Sequence, residues 1–270
     1  MIFRTSTLDD IGTAKRSFDL IKQDYKWLTD VYVAHRGLFD NEKGIPENSL
    51  PAFELAAKNG FGIEMDVQMS KDGVLVVFHD DSLNRMTGTE GKLVDFTFKE
   101  LRELRLLDTN CQIPTFEEFL AAANGANLVV EIKTHANIGE VEQKVYDALK
   151  KYKGNYCIES FNPFIVRWFK VHAPKVIRGQ LSCSFENVGF SAAKRWLLAD
   201  LILCKWNGSQ FIAYDAATIK GNKAVKKFAN KIPIICWTIK SQKQYDELSE
   251  HFDNMIFDSF LPERKDLNRG

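Results

Sequence analysis

No stretch of this 270-residue sequence approaches the roughly 18 apolar residues of a membrane span. Its first ten residues, Met1 to Asp10, hold no apolar core of signal-peptide length and carry acids at positions 9 and 10. Net charge is also missing. The 36 Lys and Arg residues balance 36 Asp and Glu, so no global field favours nucleic acid or an anionic membrane, although a small anionic substrate can still find a local cationic site. No G-x-G-x-x-G or P-loop pattern is present, which argues against the phosphate loop of a doubly wound nucleotide-binding sheet. Only five cysteines occur (Cys111, Cys157, Cys183, Cys204, Cys236), odd in number, widely spaced and without a Cys-x-x-Cys. They read as reduced thiols in a cytoplasmic protein and give no zinc-ligand spacing. With no linker or low-complexity run, residues 1–270 read as one domain.

What the chain has instead is a series of short apolar runs separated by helical periodicity. Helical spacing over 9–28 (Ile11, Ala14, Phe18, Ile21, Tyr25, Leu28) predicts a helix ahead of the first strand. Strands are then expected at 31–35, 62–67, 128–132, 156–160, 176–181, 200–204, 233–238 and 254–258. Helices fill the gaps at 49–59, 115–124, 138–152, 163–172, 187–198, 216–230 and 241–250. Eight strands alternating with helices predict a TIM (β/α)8 barrel. Residues 68–114 break the alternation with an extra strand (74–79) and a charged, irregular stretch. They predict a small insertion after strand 2, lying over the carboxyl ends of the strands.

Several of these apolar strands contain charge. His35, Glu64, Asp66, His79, Glu131 and Lys133 lie in or at the end of runs such as Gly62-Ile63-Glu64-Met65-Asp66-Val67 and Leu128-Val129-Val130-Glu131-Ile132-Lys133. Charges flanked by Val and Ile need a partner or a metal. Because strand side chains alternate, Glu64 and Asp66 share one face and Glu131 and Lys133 share another, with Met65, Val67, Val130 and Ile132 turned to the helices. Three converging carboxylates leave more negative charge than Lys133 offsets. One hard divalent cation bound by Glu64, Asp66 and Glu131 resolves this; Mg2+ or Ca2+ suits the oxygens, and Mn2+ is admissible. The bland competitor is a buried Glu–Lys pair beside two solvated acids.

Asp72-Gly73 marks a hairpin. A two-residue turn would set Asp66 opposite His79, and a four-residue loop would set Glu64 there, so either register brings the imidazole to the acids. His35 ends the strand next to that of Glu64. The two histidines therefore form a candidate general acid–base pair, and Arg36 and Lys133 are candidate phosphate ligands. His135, His172 and His251 are assigned no role.

In order along the chain, His35-Arg36-Gly37, Pro46-Glu47-Asn48-Ser49, Glu64-x-Asp66-Val67, Ser70-Lys71-Asp72-Gly73 and Val76-Val77-x-His79-Asp80 together resemble the glycerophosphodiester phosphodiesterase family. Weaker matches follow in Leu83-Asn84-Arg85, Glu131-Ile132-Lys133, Ser160-Phe161, Trp237-Thr238 and Phe257-Asp258. The resemblance implies a TIM barrel that uses a divalent metal to hydrolyse glycerophosphodiesters to glycerol 3-phosphate and an alcohol. It carries the metal to Glu64, Asp66 and Glu131, acid–base roles to His35 and His79, and phosphate binding to Arg36 and Lys133. It also suggests Phe161 and Trp237 as apolar pocket walls, with Phe39 a further candidate. The partner it implies is a small-molecule glycerophosphodiester substrate, and the even charge balance gives no reason to expect nucleic acid. Leu203 to Gly208 matches nothing in the family pattern. Two rivals keep the fold: a lysophospholipase D-type hydrolase of lysolipids, for which no strong amphipathic basic helix is seen, and a non-catalytic binding barrel, which would be expected to lack one of the seven groups.

Overall fold

The computed structural model describes residues 25–133, 138–186, 188–229 and 231–263. Its strands are β1 (Val33–Ala34), β2 (Gly62–Met69), β3 (Leu75–Val77), β4 (Leu128–Ile132), β5 (Tyr156–Ser160), β6 (Ile177–Ser182), β7 (Phe211–Asp215), β8 (Ile234–Ile239) and β9 (Asn254–Phe257). The sheet order is β1-β9-β8-β7-β6-β5-β4-β2-β3, and β1 also pairs with β2. Eight parallel strands thus close on themselves, and β3 hangs antiparallel on the far half of β2. Closure with helices between the strands makes this a TIM barrel.

Helix starts follow the capping chemistry of the sequence. Ser49 accepts from the Ala52 amide to open helix Leu50–Lys58, whose Ala52, Phe53 and Ala56 are buried at helical spacing. Thr115 and Glu118 form a reciprocal capping box at helix Phe116–Ala123. Phe53 and Phe119 then meet edge to face at 4.6 Å, locking the two helices together outside β2.

Two apolar layers result. Met65, Val67, Val130 and Ile132 join the large cluster under the helices, as the period-two reading predicts. A second cluster, with Val33, Val129, Cys157, Phe211, Ala213, Ile235 and Ile256, fills the barrel. Its packing is tight. A Cβ on Gly179 of β6 would stand 2.2 Å from the Phe211 ring, so only glycine fits there. The insertion has its own small core around Val76, Phe78, Leu83, Leu101 and Ile113.

Of the helix expected over 9–28, residues 9–24 lie outside the described residues, and Lys26–Thr29 is helical. Leu28 and Tyr25 pack on the barrel interior, and Asn254 fastens this segment with bonds to the Leu28 and Val31 carbonyls.

Two expectations fail. Residues 200–204 are not a strand: Leu201 takes a left-handed conformation (φ 57°), and the chain turns into a short helix, Cys204–Asn207. The strand is Phe211–Asp215, because Phe211 must pair with Gly179 to continue the barrel. The hairpin register also differs from both expectations. Val67 pairs with Val77 and Met69 with Leu75, and Ser70 bonds to Val74, which leaves a three-residue loop, Lys71-Asp72-Gly73, with Gly73 at φ 82°. Continued ladder pairing would therefore place Met65 opposite His79.

Candidate active site

β2 and β4 place their acids side by side. Asp66 pairs with Glu131 across the strands, and both side chains, with that of Glu64, are buried. One carboxylate oxygen from each of Glu64, Asp66 and Glu131 lies within 4.8 Å of the others. Ligands held 2.0–2.6 Å from a single hard cation stand at most about 4–5 Å apart, so the spacing suits one ion. The charge balance points the same way. Burial and the neighbouring Asp66 and Glu131 push Glu64 well above the ordinary carboxylate range. Burial, only partly opposed by Lys133, pushes Glu131 up to about 7. Asp66 alone is held far below: burial acts against it, but Lys133, His79, Arg36 and the Asn48 amide outweigh that. The residues fit a divalent cation, whose charge would relieve the two strained glutamates.

The cations thread between these acids. Lys133 Nζ is 2.9 Å from Glu131 Oε1 and 3.2 Å from Asp66 Oδ1. Burial lowers its basicity, but those two carboxylates more than reverse the effect, so it stays charged. Arg36 sits at φ 56°, a left-handed conformation unusual for a non-glycine residue, and Gly37 follows at 81°. This turn aims the Arg36 amide at Glu64 Oε2 (3.0 Å) and its guanidinium at Asp66 (3.4 Å) and Glu47 (2.7 Å). Asn48, also left-handed at 54°, gives its amide to Asp66 at 2.8 Å.

Each expected histidine is held by an aspartate. His35 Nδ1 is 3.1 Å from Asp258 Oδ2, and its Nε2 is 3.9 Å from Glu64. His79 Nδ1 is 2.5 Å from Asp80 Oδ1. An ionised carboxylate only accepts, so each Nδ1 carries the proton and each Nε2 is left free for chemistry. Burial lowers the pKa of both imidazoles, only partly offset by the carboxylates around them. His79 reaches the cluster although the ladder register turns it away. The chain leaves the ladder after Val77, and Gln68 Nε2 binds the carbonyls of Phe78, His79 and Asp80 to fix the departing strand.

A polar scaffold that sequence reading gave no role completes the site. Arg85 grips Glu47 with two bonds (3.0 and 2.7 Å) and Asp80 with two more (2.6 and 3.1 Å). The series His79–Asp80–Arg85–Glu47–Arg36–Asp66 is thus continuous through ion pairs and hydrogen bonds. Glu159 of β5, paired with Glu131, is a fourth buried carboxyl; burial first, then Glu131 and Asp66, hold it well above the ordinary range.

Phe161 and Trp237 meet edge to face at 5.6 Å after β5 and within β8, where pocket walls were expected. Phe39 lines a cavity of about 560 Å³ that runs between residues 37–45 and 257–261 and includes Asp258, the partner of His35. His172 and His251 lie away from the cluster, on Trp168 and Phe252; His135 lies outside the described residues.

Comparison with known proteins agrees with this geometry. The sequence profile of the glycerophosphoryl diester phosphodiesterase family matches residues 35–259. A glycerophosphodiester phosphodiesterase of Caldanaerobacter subterraneus is 35% identical over 164 residues, which cover 55% of this chain and 65% of that enzyme, just under two thirds. Bovine glycerophosphodiester phosphodiesterase 1 is 28% identical over 261 residues, covering 85% of this chain and 78% of that protein. The crystal structure of a glycerophosphodiester phosphodiesterase from Thermotoga maritima superposes with a TM-score of 0.65 at 27% identity, over 84% of this chain and 94% of that one.

Proposed function

The chain belongs to the glycerophosphoryl diester phosphodiesterase family, and from that premise we infer that it hydrolyses glycerophosphodiesters to glycerol 3-phosphate and an alcohol. The observation that carries this reading is the pairing of a three-carboxylate cluster with two imidazoles whose Nδ1 atoms are both tied to aspartates. Glu64, Asp66 and Glu131 hold one divalent cation, Mg2+, Ca2+ or Mn2+. Bound there, the ion supplies Lewis-acid neutralisation of the charge that builds on the phosphoryl oxygens.

The protein's own groups do the rest. Arg36 and Lys133 already face the cluster, and both can turn donors to the non-bridging oxygens of a phosphodiester. One imidazole takes the proton from the attacking oxygen through its free Nε2; the attacker is water or the substrate's glycerol 2-hydroxyl. As that oxygen bonds to phosphorus, the P–O bond to the alcohol breaks. The other imidazole, protonated at Nε2, passes its proton to the departing oxygen. Attack by the 2-hydroxyl gives a cyclic phosphodiester that water then opens with the same pair. Asp258 and Asp80 are positioning residues that hold the tautomers required. Phe161 and Trp237 wall the pocket on the β5–β8 side. A cytoplasmic location is part of the same proposal, supported by five cysteines left as free thiols.

Replacing the histidines tests the assignment. His35→Ala and His79→Ala should each lower kcat on glycerophosphocholine by about 10²–10⁴ while leaving the folded state intact. Near-normal turnover in either variant would remove that histidine from the mechanism.

A further inference from the structure

Helix Ala192–Ala199 is an oddity for a barrel helix. Its sequence, Ala-Ala-Lys-Arg-Trp-Leu-Leu-Ala, holds a Trp and two Leu, yet none of its residues is buried. Every other helix of eight or more residues among those described buries at least one side chain on the barrel or a neighbour. Leu197, Leu198 and Ala199 are half-buried at its carboxyl end, while Ala192 to Trp196, with Lys194 and Arg195, stand exposed and unpartnered in the monomer.

The surroundings share the same character. Among the described residues, nine large hydrophobic side chains are exposed. Six of them (Phe164, Val171, Val188, Trp196, Ile202 and Trp206) fall between positions 164 and 206, so the exposure is concentrated on one part of the fold. The pieces are physically joined. Phe164 meets Trp206 edge to face at 5.3 Å, and the Arg167 guanidinium lies over the Trp206 ring at 4.5 Å. Ile202 bonds back to Leu197 of the exposed helix.

Charge identifies what covers this surface. The chain as a whole is neutral, but residues 161–210 contain seven Lys and Arg, six of them outside the buried Arg178 of β6, and only two acids, Glu186 and Asp200. Arg167 and Lys170 give donors to the Trp206 carbonyl, and Lys194 stands 3.7 Å over the Phe190 ring. Arg167 thus lies against the exposed Trp206 and Lys194 against the half-buried Phe190, so apolar bodies and positive heads stand together at both places. That combination suits the headgroup layer of an anionic bilayer, which takes up exposed Trp and Phe side chains such as Trp196, Trp206 and Phe164 at its apolar boundary and attracts Lys and Arg. A series of ring contacts also links the proposed pocket walls to this helix through the buried Phe185. Ring contacts run from Trp237 to Phe161 (5.6 Å), Phe161 to Phe185 (6.0 Å) and Phe185 to Phe190 (5.6 Å), ending under Lys194 of the exposed helix.

We propose that helix Ala192–Ala199, with Phe164 and Trp206 beside it, is a docking surface for anionic phospholipid bilayers that brings the barrel mouth to the membrane.

The test is sedimentation of the full chain with vesicles of equal parts phosphatidylglycerol and phosphatidylcholine, against pure phosphatidylcholine, at low ionic strength. The wild type should sediment with the anionic vesicles and be released by salt. The double variant Lys194→Gln/Arg195→Gln should bind them at least about tenfold more weakly, and Trp196→Ala several-fold more weakly. All variants should hydrolyse glycerophosphocholine in solution at the wild-type rate. The proposal is overturned if the wild type stays in the supernatant with anionic vesicles, or if the variants sediment as it does. It is equally overturned if light scattering shows a wild-type dimer that these variants dissociate, since a second copy would then cover the face.

Discussion

Glu47 offers the sharpest structural perturbation, because it is buried between two guanidinium groups and touches no candidate metal ligand directly. Its Oε1 receives Arg36 at 2.7 Å and Arg85 at 2.7 Å, and its Oε2 receives Arg85 at 3.0 Å. Glu47→Gln keeps the shape, removes the charge and leaves two cations facing each other. Breaking a buried pair by removing one partner costs about 3–5 kcal/mol. The Arg85 side chain is 47% exposed and can turn to water, so the lower end applies, about 3 kcal/mol. For a chain of this size that corresponds to a fall in melting temperature of roughly 6–12 °C. The sign of its pH dependence follows from the shift. Burial pushes the Glu47 carboxyl up, but Arg85 and Arg36 prevail and hold it below the ordinary range. Its contribution is therefore fully present above the ordinary glutamate value and is lost as pH falls through the lower folded value. Thermal melts of wild type and variant should differ at neutral pH and converge under acid. A neutral-pH difference under about 2 °C, or one that grows on acidification, would refute the reasoning.

Other outcomes follow from the same geometry. Asp258→Ala removes a charge-assisted bond of about 1.5–3 kcal/mol from His35 and should lower kcat by about 10–150-fold with little change in KM; a change confined to KM would contradict a positioning role. Gly179→Ala should destabilise by about 1–3 kcal/mol through its clash with the Phe211 ring, and Phe211→Leu in the same chain should recover much of the loss in a urea titration.

The parts of the site that were legible in the sequence are those governed by period two. Glu64 with Asp66, and Glu131 near Lys133, declare their faces because each is flanked by Val, Ile or Met that must point the other way. His79 reached the cluster for a different reason than the one sequence suggested. The loop has three residues, not two or four, and a side-chain amide from Gln68 redirects the strand afterwards. No periodicity encodes that. The strand at 211–215 was missed because Leu201-Ile202-Leu203 offers a more apolar run, and only the Gly179–Phe211 fit distinguishes them. Glu47, Asp80, Arg85 and Asp258 act through partners as far as 223 residues away, so although each stands in a motif of the family resemblance, no periodicity or spacing reveals its role. Glu159 is different. It sits between Ile158 and Ser160 in an apolar strand, and the rule that singled out Glu131 applies to it equally.

The central claim is that Glu64, Asp66 and Glu131 hold the divalent cation on which phosphodiester cleavage depends. The most direct measurement is glycerol 3-phosphate release from glycerophosphocholine by EDTA-treated protein, titrated separately with Mg2+, Ca2+ and Mn2+, for wild type and Asp66→Asn. The wild type should show no turnover in EDTA and saturable recovery with at least one of the ions, and the variant should show no recovery. Full turnover in EDTA, or equal recovery by Asp66→Asn at the same metal concentration, would contradict it.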